Sequence, residues 1–238
     1  MKNTNSLRDE IAQERRKLLE GKSTGYKIKY YAYYYKWYVI GAIVAILVIS
    51  SLVKSIITSK DCGLGIAVAG GDFEADYLSM SADLNLILEM DDKHEVQIDG
   101  GYTLSADDLT LDIQSREKLY VTVATQQTDI IIATESAFRD LADRGYFTPV
   151  NELFEDESVI DQDKIFIGMV PDDSIDAVDN PDSPRHEEKS GIEITDCDKI
   201  KEYGWFDDSN ESVYIGVVPE GSNTENAVRF IKYLINID

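Results

Sequence analysis

The sequence predicts an α/β protein in three parts: a basic, aromatic tail over residues 1–36, one transmembrane helix over residues 37–57, and an acidic outer domain over residues 61–238. Three observations support this division: a long run without charge, a reversal of charge across that run, and short apolar stretches that alternate with helical patterns after it. Because short buried strands alternating with helices are typical of sheets covered on both faces, we expect a mostly parallel sheet.

Residues 37–53 form an apolar run that contains no charged residue. With residues 54–57 it reaches the ~20 residues that span a bilayer, and Lys54 lies near its end, where a lysine can extend to the headgroups. Tyrosines and Trp37 crowd residues 30–38 just before the run. This favours an interfacial aromatic belt over the alternatives, an aromatic binding surface or a core strand.

Charge predicts the orientation of the chain. The tail holds nine Lys/Arg against four Asp/Glu, whereas residues 61–238 hold twelve against forty-one. The positive-inside rule therefore predicts a cytoplasmic N-terminus and an extracellular domain of a single-pass cell-membrane protein. A cleaved signal peptide is the alternative, but residues 57–59 are a poor cleavage site. A lipid attachment at Cys62 is excluded by the charges just before it.

Local patterns predict the elements in order. Before the aromatic segment, the tail resembles a short helix that Ser6 caps and Gly21 ends. Residues 104–113 are ambiguous, because Ser105 with Asp108 suggests a helix cap whereas the following residues alternate like a strand. The remaining elements of the first half are a strand over 62–69, a helix whose apolar positions run from Phe73 to Leu88, a strand over 95–98 and a helix over 116–127.

The second half starts with the clearest strand, over residues 129–133. Thr134 caps the helix after it, and Gly145 ends that helix. At the end of the chain, residues 222–225 read as a capping box in front of an amphipathic helix that runs to Ile235. Between these lie an apolar run over 165–170, a polar loop over 178–190, a strand over 191–195 and a buried strand over 213–218.

Several fragments resemble known motifs without completing them. Gly21-Lys22-Ser23 matches the end of a phosphate-binding loop, but Arg16 stands where its first glycine must be. The acidic stretches 156–163 and 172–182 lack the glycine and closing glutamate of a calcium loop. His94 and His186 have no zinc-ligand partner at a suitable spacing. We therefore expect no catalytic constellation, no metal and no cofactor, and the acidic excess disfavours nucleic-acid binding.

The stretch TDIIIA (128–133), the helix ending LADRG (141–145) and YFTPVNELF (146–154) resemble the first lobe of extracellular solute-binding proteins of ABC transporters, the type 2 periplasmic-binding-protein class. The whole layout is similar to a family of single-pass proteins of Gram-positive bacteria, with a tyrosine-rich segment before the membrane helix and a degenerate solute-binding-like domain after it. Solute-binding proteins have two full lobes and are longer. The resemblance therefore implies one lobe, with the second reduced to residues 155–212 or absent.

Ligands of open α/β sheets bind at the carboxyl ends of the strands, where helix N-termini offer free N–H groups. The alternative is that the residues at these positions only cap their helices. A disulfide between Cys62 and Cys197 is allowed but not required, because an exterior compartment is oxidising. The candidate ligand contacts are the turns after the first strand and after strand 129–133: Gly70, Gly71, Asp72, Thr134, Glu135 and Ser136.

Taken together, these features predict a membrane-tethered, extracytoplasmic, non-catalytic binding module. Its partners would be the membrane and either a small solute or an envelope protein. The alternative is an envelope scaffold or sensor accessory that acts through protein–protein contacts and has no small-molecule site. An enzyme with unrecognised chemistry is a third, weaker option.

Overall fold

The computed structural model describes residues 4–58, 60–72, 74–154, 159–172, 183–206, 209–219 and 221–237. Contacts between residues divide the chain into two compact units, Met1–Ser59 and Lys60–Asp238. The predicted contribution of Phe73, part of the 178–190 loop and part of both acidic stretches lie outside the described residues.

The first unit consists of helix α1 (Thr4–Leu19) and helix α2 (Thr24–Thr58). With 35 residues, α2 extends over about 52 Å at the helical rise of ~1.5 Å per residue. That length exceeds the ~30 Å thickness of a bilayer's hydrocarbon core. The stretch Thr24–Lys54 is long and apolar enough to cross a membrane, and its apolar side chains from Val39 to Val53 are exposed in the described structure.

The aromatic segment before residue 37 forms the first turns of α2. Tyrosines four residues apart stack on one another, with ring centroids 6.3 Å apart for Tyr30 and Tyr34. The start of α2 also contacts α1, because the Arg15 guanidinium lies 5.0 Å above the Tyr34 ring and its Nη1 donates to the Tyr35 hydroxyl at 2.9 Å. Helix α1 already begins at Thr4, so Ser6 lies inside the helix and is not its cap.

In the second unit, the described residues form one six-stranded sheet in the order β2-β1-β3-β6-β5-β4. The strands are β1 (Asp61–Ala69), β2 (His94–Tyr102), β3 (Ile130–Thr134), β4 (Ile165–Pro171), β5 (Arg185–Glu193) and β6 (Val213–Val217). Strand β1 is parallel to β2 and β3, whereas β6 is antiparallel to β3 and to β5, and β4 is antiparallel to β5. The domain is therefore α/β with a mixed sheet, and the expected mostly parallel sheet is not confirmed.

The helices of this unit are α3 (Tyr77–Ile87), α4 (Ile113–Ala124), α5 (Glu135–Ala142), α6 (Val150–Leu153), α7 (Asp198–Glu202) and α8 (Thr224–Leu234). They cover both faces of the sheet, and alternate residues of β1 show how. Leu64 and Ile66 point into a core with α3 and α8, here called the α3/α8 face. Ala67 and Ala69 point into the core beneath α4 and α5, the α4/α5 face.

The amphipathic patterns that predicted α5 and α8 are confirmed. Phe138, Leu141 and Ala142 of α5 are all buried on the α4/α5 face. In α8, Phe230 and Leu234 are buried together with the other residues of the same helical stripe. Burying such a stripe supplies most of the stability of a short helix, because isolated helices of this length are marginal in water.

One prediction in the second half of the domain is wrong in part. Strand β5 begins at Arg185, so residues 185–190 are strand rather than loop. The described part of residues 155–212 contributes β4 and β5 to the same sheet, which fits the alternative of an absent second lobe and not that of a reduced one. The sequence RHEEKS has no apolar alternation, and its strand conformation depends on pairing with β4.

The helix starts also differ from those predicted. Helix α8 has Asn223 at its N-cap position, and the Ser222 hydroxyl donates to the Gln126 side chain instead of forming a capping box. Helix α4 is capped by Asp112, whose carboxylate accepts the Ser115 N–H at 2.7 Å. Within the ambiguous 104–113 stretch, the structure shows turns and a single bridge, with no strand or helix before Ile113.

Candidate functional site

The two predicted turns lie side by side at one edge of the sheet. Strands β1 and β3 are parallel neighbours, and Ala69 pairs with Ala133 at their carboxyl ends. From this edge the chain continues from β1 into α3 on one face and from β3 into α5 on the other. Such a divergence of connections opens a crevice between two strand ends, which is where ligands of open α/β sheets bind.

The turn after β1 is packed too closely for a side chain. Gly70 has a φ of 74°, in the left-handed region, and a Cβ there would lie 2.6 Å from Leu104 Cδ1. A Cβ on Gly71 would lie 3.0 Å from the Trp205 carbonyl oxygen. That same oxygen accepts the Asp72 N–H at 2.8 Å. The glycines therefore allow the backbone of this turn to dock against the Trp205 segment.

Tyr77 closes the other side of the same turn. Its hydroxyl donates to the Asp72 carbonyl oxygen at 3.0 Å, and its ring lies 5.4 Å from the Trp205 ring. Burial raises the pKa of the Tyr77 hydroxyl to about 12, and the nearby Asp72 charge acts in the same direction. The hydroxyl therefore remains protonated at neutral pH and keeps its donor role.

Two polar atoms near these strand ends are buried without a hydrogen-bond partner, namely Thr134 Oγ1 and Trp205 Nε1. Thr134 occupies the N-cap position of α5, yet its side chain makes no capping bond, and only 3% of the residue is exposed. Since Ile130 and Ile132 point into the α3/α8 face, Thr134 also points there, and Trp205 belongs to the same core. A buried polar group without a partner costs about 1–3 kcal/mol, which makes both atoms candidates for contacts with a bound molecule.

The start of α5 is already occupied by a carboxylate of the chain itself. Glu211, in the segment before β6, accepts the Ser136 N–H at 3.4 Å and the Ser136 hydroxyl at 2.5 Å. Glu135, the first residue of α5, forms an ion pair with Arg139 at 2.8 Å. The expectation that the Ser136 N–H is free is therefore wrong. Negative charge is favourable at a helix N-terminus, and Glu211 supplies it.

The six predicted contacts lie in the turns after β1 and β3, at the same end of the sheet, and the structure adds two residues that sequence reasoning missed. Trp205 and Glu211 come from the segment between α7 and β6, far along the chain from the predicted turns. Neither has a local sequence signal, because tertiary packing alone brings them to this edge.

No group of three or more His, Cys, Asp or Glu side chains suited to a metal ion occurs among the described residues. Each histidine instead contacts acidic neighbours. His94 Nδ1 lies 2.7 Å from Asp91, and His186 Nδ1 lies 2.7 Å from Asp172.

The two cysteines are free thiols in the structure. The Cys62 carbonyl accepts from the Asn223 side chain at the start of α8, whereas the Cys197 thiol donates to the Leu234 carbonyl at the end of α8. Asn223 and Leu234 are eleven residues apart along α8, which corresponds to about 16 Å. A disulfide needs Cα atoms within about 7 Å, so the pair is not joined in this arrangement.

Three cavities of the domain have linings that do not include the residues of the predicted turns. One of about 270 Å³ lies between the carboxyl end of β5 and the last turn of α8. A second, of about 380 Å³, lies beside α8, with Lys199, Arg229 and Lys232 in its lining. A third, of about 240 Å³, lies over Phe166 and Tyr214.

Comparisons of the chain with protein-family models, curated proteins and solved structures found no match.

Proposed function

We propose that the protein is a membrane-tethered, extracytoplasmic, non-catalytic binding module whose ligand site is the crevice between the ends of β1 and β3. The single observation that carries this proposal is the buried Thr134 hydroxyl, which has no partner and lies where the connections of β1 and β3 diverge. The resemblance of residues 128–154 to one lobe of a type 2 periplasmic binding protein agrees with a binding role. The apolar helix α2 supplies the tether.

A ligand screen on the full chain in nanodiscs tests this function. Sugars, short peptides and metal ions are added, and the melting temperature of the outer domain is recorded. A ligand at ~100 times its dissociation constant would stabilise the folded state by about 2.7 kcal/mol, which is a readily measured shift.

The matched variant is Thr134→Val, which keeps the side-chain shape and removes the unpartnered hydroxyl. Replacing such a group is neutral or stabilising in the unliganded protein. We therefore expect this variant to melt at the same temperature as the parent or higher, and to lose the ligand-induced shift. A ligand whose shift survives in Thr134→Val would bind elsewhere and contradict the proposed site.

The alternative, an envelope scaffold without a small-molecule site, is favoured by one observation: Glu211 already occupies the start of α5. Under this alternative no small molecule shifts the melting temperature. Weakening the contact between Glu211 and Ser136 with Glu211→Gln would not create binding either. Recovery of an envelope protein crosslinked to the outer domain would then be the positive result.

The proposed orientation has its own test. Single cysteines are placed at Ser6 and at Ser183, in a Cys62→Ser/Cys197→Ser background, and intact cells are treated with a membrane-impermeant thiol reagent. The positive-inside rule predicts labelling at position 183 and none at position 6. The reverse pattern would overturn the orientation.

A further inference from the structure

The cavity of about 270 Å³ lies apart from the β1/β3 crevice, between β5, α7 and the end of α8. Its lining combines acidic side chains with apolar ones: Ile160, Ile192, Ile194 and Leu234 are buried beneath it, and Val159, Ile235 and Ile237 expose part of their surface to it. An engineered apolar cavity of about 150 Å³ is large enough for a benzene molecule. This cavity therefore has room for a group the size of a substituted aromatic ring.

The rim of the cavity is strongly acidic. Among the described lining residues, Lys164 is the one basic side chain. Four acidic residues also line the cavity: Asp161, Glu193, Asp196 and Asp198.

Local contacts leave this negative charge largely in place. Glu193 accepts from the Thr195 hydroxyl at 2.8 Å, which does not neutralise it, and Asp196 forms an exposed ion pair with Lys201 at 3.2 Å. The last turn of α8 also lines the cavity, and the carbonyl end of a helix carries partial negative charge.

The charge of the whole domain acts in the same direction. A large negative excess raises the concentration of cations near acidic clefts and speeds their association. The carboxylates around this cavity do not form a group suited to a metal ion. The occupant that matches both the apolar floor and the acidic rim is therefore an organic cation.

We propose that this cavity binds a small organic cation, a protonated amine carried on a compact hydrocarbon or aromatic body. The hydrocarbon replaces water on the floor formed by Ile192, Ile194 and Leu234, and the ammonium group faces the rim carboxylates. This site is distinct from the β1/β3 crevice and does not depend on the function proposed above.

The test uses three probes of nearly equal size on the full chain in zwitterionic nanodiscs. Benzylammonium carries the positive charge, benzyl alcohol is neutral, and benzoate is negative. Titration calorimetry measures binding of each probe. We expect benzylammonium to bind most tightly and benzoate not to bind. Benzyl alcohol should bind at least about fivefold more weakly than benzylammonium, a factor that corresponds to the upper end of what one exposed ion pair contributes.

Cys197 locates the bound probe, because it is one of the lining residues and its thiol lies 3.3 Å from the carbonyl oxygen of Leu234, another lining residue. In a Cys62→Ser background it is the one remaining thiol of the chain. Saturating benzylammonium should slow the reaction of Cys197 with N-ethylmaleimide, and benzoate should leave the rate unchanged. Binding without protection of Cys197 would place the probe outside the cavity and overturn the proposal.

The matched variants separate a local rim effect from a general charge effect. Glu193→Gln/Asp198→Asn removes two of the four acidic lining residues and should bring benzylammonium affinity closer to that of benzyl alcohol. Asp92→Asn/Asp107→Asn removes the same charge from exposed turns outside the cavity and should leave the affinity unchanged. Equal binding of benzylammonium and benzyl alcohol to the parent protein would overturn the cation preference, and binding of neither at millimolar concentration would overturn the site.

Discussion

The inner strands β1 and β3 and the outer strands β4 and β5 belong to one sheet but are stabilised differently. Every residue of β3 is buried, as is β1 from Gly63 onward, because helices cover both of their faces. In β4, Ile167 and Met169 are 52% and 43% exposed, and the first half of β5 is polar.

This difference shows why the inner strands were predicted closely and the outer hairpin only in part, since residues 165–170 formed an apolar run but residues 185–190 were expected to be loop. A strand covered on both faces needs successive apolar residues, which form a recognisable run. A peripheral hairpin is stabilised mainly by its own hydrogen-bond ladder and by cross-strand pairs, which leave a weaker pattern. The covered strands should therefore be far more sensitive to truncation than the hairpin.

The largest expected effect is on the helix that covers the inner strands. Phe230 of α8 is fully buried, so Phe230→Ala should lower the free energy of unfolding by about 3–5 kcal/mol. Urea unfolding in a Trp37→Phe background, followed by Trp205 fluorescence, measures this change. The exposed neighbour variant Arg229→Ala should stay within about 0.5 kcal/mol. A loss below about 1 kcal/mol for Phe230→Ala would mean that α8 does not pack on the sheet.

The direct comparison of the two regions uses one truncation in each. Leu64 of β1 is fully buried, and Leu64→Ala should destabilise the domain by about 2–5 kcal/mol. Ile167→Ala in β4 removes a half-exposed side chain and should lower the free energy of unfolding by less than about 1 kcal/mol. Similar losses in the same urea experiment would remove the distinction between covered and peripheral strands.

A smaller effect is expected at the amino ends of the inner strands. The buried Asp129 carboxylate accepts the N–H groups of Gly65 at 2.8 Å and Asn223 at 2.9 Å, and so joins β1, β3 and the start of α8. Asp129→Ala leaves these donors unpaired and should lower the free energy of unfolding by about 2–3 kcal/mol. Asp129→Asn, which retains one acceptor, should lose less, and equal losses would show that the hydrogen bonds are not the cause.

The smallest effect concerns pH and the outer hairpin. A hydrogen bond to Asp172, with the charges of Asp172 and Glu188, raises the pKa of His186 above its ordinary value of 6.5. Because the folded pKa lies above the unfolded one, the stabilisation is complete below about pH 6.5 and is lost as pH rises through the folded pKa. NMR titration of the full chain should show the raised pKa, and Asp172→Asn should lower it. An unchanged titration in Asp172→Asn would contradict the pairing.

Much of the fold followed from local patterns, and so did the position of the candidate site. The strand ends that carry Gly70 and Thr134 were predicted by apolar runs ending in turn residues. The mixed direction of the sheet was not, because short apolar strands look alike in either direction. The contact of Ser136 with Glu211 spans 75 residues of sequence, and no local rule predicts such a pairing.

By itself, the sequence determined the apolar helix, the reversal of charge, the buried strands β1, β3 and β6, and the amphipathic helices α5 and α8. Each of these is a local property, set by the identity and spacing of neighbouring residues. The tertiary structure alone decided the antiparallel placement of β6 between β3 and β5, the hydrogen bonds of Glu211 with Ser136 at the start of α5, and the burial of Trp205 beside the Gly71 turn. These features depend on which distant segments meet, and that is decided by how both faces of one sheet are covered at once.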